Sequence, residues 1–148
     1  MTQLTTITAD NIDNAVGITL RPGQEQFVAP VVQSLAEAYV HPAAWPRLVT
    51  DGDDVVGFVM GSFDPDNEID FFRCGIWRLN ISGEHQGRGY GRFAVQGVID
   101  EARRRGEQRV TVLWIPREDG PEDYYLNLGF TPTGPEFYGQ TVGELFID

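Results

Sequence analysis

Six residues, Gln86-Gly87-Arg88-Gly89-Tyr90-Gly91, constrain this chain more than any other stretch: three alternating glycines stand between a strand candidate and the longest helix candidate. Glycine lets the backbone turn through positive φ and approach a ligand closely. A helix opening straight after such a turn aims free N–H groups and a partial positive charge at an anion. On the strand side, residues 70–81 carry Phe72, Ile76, Leu79 and Ile81, with Gly75 as the expected bulge. On the helix side, residues 89–105 place Ala94, Val98 and Ala102 four apart, with Val95 and Ile99 beside them. Arg103, Arg104 and Arg105 suit the negative helix end, and Gly106 stops it. A dinucleotide fingerprint needs a third glycine at position 92, which is Arg92, so the motif reduces to Gln-x-x-Gly-x-Gly.

Around this centre the chain reads as mixed α/β without repeat or linker. Residues 4–8 predict a strand, and Asp10 caps a short helix over 11–16. A helix follows Pro22, with Phe27, Val31, Leu35, Ala38 and Tyr39 on one face and Pro30 as a kink or break. Leu48, Val49 and residues 55–63 predict a hairpin around Asp51-Gly52-Asp53-Asp54; Asp64-Pro65-Asp66-Asn67 is the next turn. Residues 109–115 predict a strand, 121–128 a short helix capped by Gly129, and 130–147 two closing strands.

The 148 residues suit one domain, 1–148. All 11 basic residues are arginine. The missing lysine excludes a Walker phosphate loop and any lysine Schiff-base enzyme. A net charge of −11 argues against a nucleic-acid partner, which needs a basic patch, and is compatible with a cationic small substrate. Cys74 is the one cysteine, and with His41 and His85 it makes no convincing metal set, so no metal is expected. The start has no signal-like segment, and the longest apolar stretch, 55–60, is too short to span a bilayer; a cytoplasmic protein without a membrane partner is expected.

The run Gln86, Gly89, Gly91 resembles the pyrophosphate-binding signature Arg/Gln-x-x-Gly-x-Gly/Ala of the GNAT superfamily of N-acetyltransferases. Tyr124-Tyr125-Leu126-Asn127-Leu128-Gly129-Phe130 is similar to that family's aromatic-Tyr-x-x-Leu-Gly-Phe segment. The resemblance implies a mixed, mostly antiparallel sheet of about six to seven strands with about four helices, its central strands splayed at a coenzyme site. It implies acetyl-CoA as cosubstrate, with the backbone of Leu79, Asn80 and Ile81 along the pantetheine arm. Gln86, Gly87, Arg88, Gly89, Tyr90, Gly91 and Arg92 would lie around the phosphates, and Tyr125 would be the acid that protonates the departing thiolate. Glu118 and Pro121 stand where the family often carries Asn and Ala. The first half, including residues 7–11, 22–29 and 34–39, resembles a bacterial branch of spermine/spermidine, or diamine, N-acetyltransferases.

The implied reaction is acetyl transfer to a primary amine of a small cationic acceptor, a polyamine among the candidates, by direct attack. An alkyl amine with a pKa near 10.4 is neutral in fewer than about one molecule in a thousand at pH 7, so a base or a water path must take its proton. Glu25 and Glu37, with Tyr39, are the expected acceptor-site residues; Glu84 and Asp70 are further carboxylates, each reading more simply as a surface group. An amino acid, an aminoglycoside-like molecule or a protein N-terminus are alternative acceptors, and a non-catalytic CoA-binding module is the alternative class. A homodimer through residues 139–147 is the expected assembly.

Overall fold

The computed structural model describes all residues, Met1–Asp148. Its elements in chain order are β1 (Thr2–Thr5), α1 (Ile12–Val16), α2 (Val31–Val40), β2 (Ala44–Asp51), β3 (Asp54–Phe63), β4 (Cys74–Ile81), α3 (Tyr90–Arg104), β5 (Arg109–Trp114), α4 (Glu122–Asn127), β6 (Thr131–Phe137) and β7 (Gln140–Phe146). The seven strands form one sheet in the order β1-β2-β3-β4-β5-β7-β6. Every neighbouring pair is antiparallel except β4–β5, which α3 connects as a crossover. This is the α/β architecture the sequence predicts.

Helices cover both faces. The Ala94, Val95, Val98, Ile99 and Ala102 stripe of α3 packs with Val59, Ile76, Val110 and Val112, and the same core takes in Trp114, Tyr125 and Phe130. A second core joins Ala15 of α1 and Val31 of α2 to Leu48, Phe58 and Met60. Phe58 and Met60 thus face the opposite way from Val59, which is why β3 reads as an unbroken apolar run.

Two irregularities open the middle of the sheet. Met60 pairs with Arg78 and Gly61 with Ile76, which leaves Trp77 as an extra residue in β4. Such a bulge bends its strand. On the other side, the parallel ladder with β5 consists of Gly75 with Thr111 and Ile76 with Val112, and stops there. The expected bulge at Gly75 therefore falls at Trp77. Gly75 serves a different need: a Cβ there would lie 2.6 Å from the Thr111 carbonyl oxygen, so its absence lets the strands meet.

Other boundaries shift for local reasons. Only the part of the second predicted helix after Pro30 is helical, as α2; residues 21–30 are turns held by contacts to distant loops. Asn11, not Asp10, precedes α1, its Oδ1 accepting from the Thr8 N–H at 2.8 Å. Residues 70–72 form a 3-10 turn ahead of β4 rather than strand. β7 lies between β5 and β6, so most of the 139–147 segment expected to pair subunits is spent inside the sheet. The exposed edge is β6, which carries Pro132 and Pro135, residues that discourage strand addition.

Candidate active site

Beyond Ile76 and Val112 the two central strands part, and a cleft of about 600 Å³ occupies the gap. The N–H of Ser82 donates to the Val56 carbonyl on β3 at 2.9 Å. By the two-residue alternation of a strand, Asn80 and Arg78 also turn their backbone groups to β3, whereas Leu79 and Ile81 turn theirs into the gap. Gln86 Nε2 donates to the Ile81 carbonyl from that side at 3.0 Å. Leu79 and Ile81 line the cleft. Asn80 does not: its side chain is buried and its Nδ2 donates to the Ala29 carbonyl at 3.0 Å. The expectation for Asn80 is corrected to an anchor for the 21–30 turns.

At one end of the cleft lies the glycine turn. Gly87 and Gly89 adopt φ of 80° and 87°, and no atom lies within 4 Å of a Cβ built on either, so the space above them is open. Gly89 precedes the fifteen-residue α3, whose first N–H groups have no intrahelical partner. Gln86, Gly87, Gly89, Tyr90, Gly91 and Arg92 all line the cleft. Arg88 is exposed and lies outside the lining; of the two arginines only Arg92 borders the site. Tyr90 contributes backbone and ring, since its hydroxyl donates to Asp51 at 2.5 Å. Gln24, read from sequence only as part of a helix, exchanges amide hydrogen bonds with Gln86 at 2.8 and 3.1 Å and so braces the turn.

At the other end sits Tyr125, 8% exposed and stacked on Trp114 with ring centroids 5.6 Å apart. The ring of Phe130 meets it edge-on. Its hydroxyl has no hydrogen-bond partner in the chain, and burial pushes the phenol well above its ordinary range. The group is thus a proton donor throughout the neutral range. Tyr124 beside it is pushed up to about 12, also by burial, with Arg92 pulling the other way. Pro121 immediately precedes α4 and lines the cleft; Glu118 is exposed, and Asp119 is the nearby carboxylate that reaches the lining.

A second cavity of about 750 Å³ adjoins the first, and the two share Phe27, Val28, Ile76, Trp77, Arg78 and Leu113. Of the predicted acceptor residues, Glu25 lines it. Glu37 does not; its carboxylate pairs with Arg78 at 3.0 Å, and Arg78 spreads its guanidinium over the Trp77 ring. Burial lowers the Arg78 pKa and Glu37 opposes that shift. Tyr39 is 90% exposed near the end of α2 and lines neither cavity, because the packed face of that helix carries Val31, Ser34, Leu35 and Ala38. Glu84 and Asp70 are surface groups, the latter paired with Arg109. Cys74 is buried and its thiol is pushed up to about 12 by desolvation, which removes it as a nucleophile. Sequence reasoning missed Asp64 and the aromatic side chains of Phe71, Phe72, Phe137 and Tyr138, all in this cavity's wall. They come from turns and a hairpin tip whose meeting only the tertiary fold decides.

A strand-edge cleft closed by a glycine turn at one end and a buried phenol at the other defines a class of coenzyme-binding α/β protein. The chain belongs to the acetyltransferase (GNAT) family, whose model matches residues 19–130. It is 28% identical over 110 residues to N-acetyltransferase 8F1 of Rattus norvegicus, covering 74% of this chain and 48% of that protein. Against N-acetyltransferase 8B of Mus musculus it is 27% identical over 119 residues, 76% of this chain and 51% of the relative. The chain spans about half the length of the curated relatives it matches. The fold matches that of an acetyltransferase from Thermus thermophilus with a TM-score of 0.73 and 19% identity, covering 99% of this chain and 97% of the other. N-acetylglutamate synthase from Neisseria gonorrhoeae, solved with coenzyme A and N-acetyl-glutamate, matches with a TM-score of 0.74 and 15% identity over 100% of this chain and 35% of the synthase. No helix is long and apolar enough to cross a membrane.

Proposed function

We propose that this chain transfers an acetyl group from acetyl-CoA to a primary amine of a small cationic acceptor, polyamines included, by direct attack. One observation carries the reading: the β4–β5 ladder ends at Ile76 and Val112, leaving the backbone of Leu79 and Ile81 on a cleft wall between the glycine turn and Tyr125. The residues fit the coenzyme. Open space over Gly87 and Gly89 and the start of α3 suit phosphates, and strand backbone that faces the gap without a partner strand suits the amides of a pantetheine arm.

Acetyl-CoA supplies an activated acyl group and a thiolate leaving group. The rest falls to the chain. The Leu79 N–H points into the gap, where it can stabilise the oxyanion that develops on the thioester carbonyl. Tyr125, kept protonated by burial, gives its proton to the sulfur as it leaves. The amine enters through the second cavity and meets the first where Trp77 and Leu113 line both. Glu25 at its rim attracts the ammonium form, and water in the open mouth carries the released proton away.

The test is a thiol-release assay with acetyl-CoA against spermidine, putrescine, free amino acids, an aminoglycoside and a peptide. Turnover with a cationic small amine is expected. Tyr125→Phe should lower kcat by roughly 10²–10⁴ while coenzyme affinity stays within about twofold. Silence across the panel with intact coenzyme binding would favour the non-catalytic module.

A further inference from the structure

The acceptor cavity has a far end that the acetyl-transfer reading does not use. There Asp64, Asn67, Phe71, Phe72, Phe137 and Tyr138 come together from the turn after β3, the 3-10 turn before β4 and the β6–β7 hairpin. We propose that this end is a cation subsite that holds a second ammonium group of the acceptor, so that the enzyme selects amines by length. The proposal rests on the acetyltransferase reading for the position of the reacting nitrogen.

Three observations support it. First, Asp64 is a fixed carboxylate without a counter-ion. Its Oδ2 accepts from Asn67 Nδ2 at 3.0 Å, its own N–H donates to the Arg73 carbonyl at 2.8 Å, and Oδ1 has no partner in the chain. No arginine forms an ion pair with Asp64 or with Glu25 at the near rim, whereas the cavity's one arginine, Arg78, is already paired with Glu37. A cavity wall with two uncompensated carboxylates favours a dication over a monocation.

Second, aromatic rings line the same cavity as the carboxylate. Phe71, Phe72 and Phe137 pack mutually edge to face with centroids 4.8, 5.2 and 5.3 Å apart, and Tyr138 adds a fourth ring 4.5 Å from Phe137. A cavity that offers both a carboxylate and aromatic rings can hold an ammonium by charge attraction and by cation–π attraction together. Tyr138 holds φ at 49°, the one non-glycine residue in the left-handed region, and is 90% exposed, so a strained turn presents this ring at the cavity mouth.

Third, the spacing is set by the sheet. The amine must react beside Trp77, where the cavities meet; Asp64 follows Phe63, which pairs with Cys74 three residues back along β4. Asp64 itself lies opposite Arg73, so at about 3.3 Å per strand residue the two points are roughly 10–13 Å apart. An extended eight-carbon diamine, or the terminal nitrogens of spermidine, cover such a span; putrescine falls well short.

Calorimetry on the coenzyme-A-loaded protein with diaminooctane and octylamine tests the subsite without needing turnover, and acetyl-transfer kinetics on the same pair tests its use. The diamine is expected to bind roughly tenfold or more tightly than the monoamine, and Asp64→Asn should remove that difference while leaving octylamine binding and its kcat unchanged. Phe137→Leu should reduce it in the same direction. Equal binding of diamine and monoamine by the wild type, or an equal loss of both in Asp64→Asn, would overturn the subsite. Diamine preference in binding with no acetyl transfer to either amine would uphold the subsite and overturn instead the reading of small alkyl amines as the acetyl acceptors.

Discussion

At the scale of single residues, environment rather than identity separates the two candidate nucleophile-like or acid groups. Tyr125 and Cys74 both have raised pKa values from burial, but Tyr125 lines the cleft and Cys74 does not. A phenol held protonated can donate; a thiol held protonated cannot attack. The basic limb of the kcat profile should therefore not reflect Tyr125 below about pH 10, and the acid limb should follow deprotonation of the amine. For stability the sign is fixed by the folded pKa lying above the unfolded one. The Cys74 contribution is complete below the ordinary thiol pKa near 9 and is lost as pH rises towards about 12. Denaturant midpoints measured across that range should fall, and Cys74→Ala should flatten that fall. Leu79, Ile81, Gln86, Arg92 and Tyr125 all line the cleft, and motif spacing is what singles them out in the sequence. Asn80, Arg88, Glu37 and Tyr39 line neither cavity, because side-chain direction depends on strand alternation, turn φ and which helix face packs, none of which a lone sequence states.

Among elements, β4 determines the site. Its bulge at Trp77 and its two-residue ladder to β5 convert a continuous sheet into a cleft. Gly75→Ala would place a methyl 2.6 Å from the Thr111 carbonyl oxygen and should cost about 1–3 kcal/mol, read as a lower thermal midpoint, together with a higher KM for the coenzyme. Gly89→Ala meets no neighbouring atom, so its penalty is conformational, about 1–2 kcal/mol at φ 87°, and should appear mainly as weaker coenzyme binding. Gly91→Ala would collide with the Tyr124 hydroxyl and disturb α4 as well. Helix α3 is legible because it follows one clear hydrophobic period, and the hairpin β2–β3 and β5 because apolar, β-branched runs are set off by turn residues. Residues 21–30 are not, since their apolar spacing mimics a helix. Hydrogen bonds from Gln24 to Gln86, from Arg21 to Gly83 and from Arg117 to Gln26 hold them as turns instead.

For the whole molecule, a net charge of −11 would act oppositely on the two substrates of the proposed reaction. A cationic acceptor is attracted and an anionic coenzyme repelled, both through fields that salt screens over roughly 8–10 Å. Raising ionic strength from low to physiological values should lower kcat/KM for the amine by about two- to fivefold and raise the coenzyme association rate. Stopped-flow binding and steady-state kinetics over the same salt series measure the two slopes, which should have opposite signs. The central claim is that the gap between β4 and β5 seats the coenzyme with its sulfur at Tyr125. A crystal structure with coenzyme A tests it most directly. The account predicts the pantetheine arm on the backbone of Leu79 and Ile81, the pyrophosphate over Gly87 to Gly91, and the sulfur within hydrogen-bonding distance of the Tyr125 hydroxyl; a coenzyme bound elsewhere, or a sulfur out of that residue's reach, would contradict it.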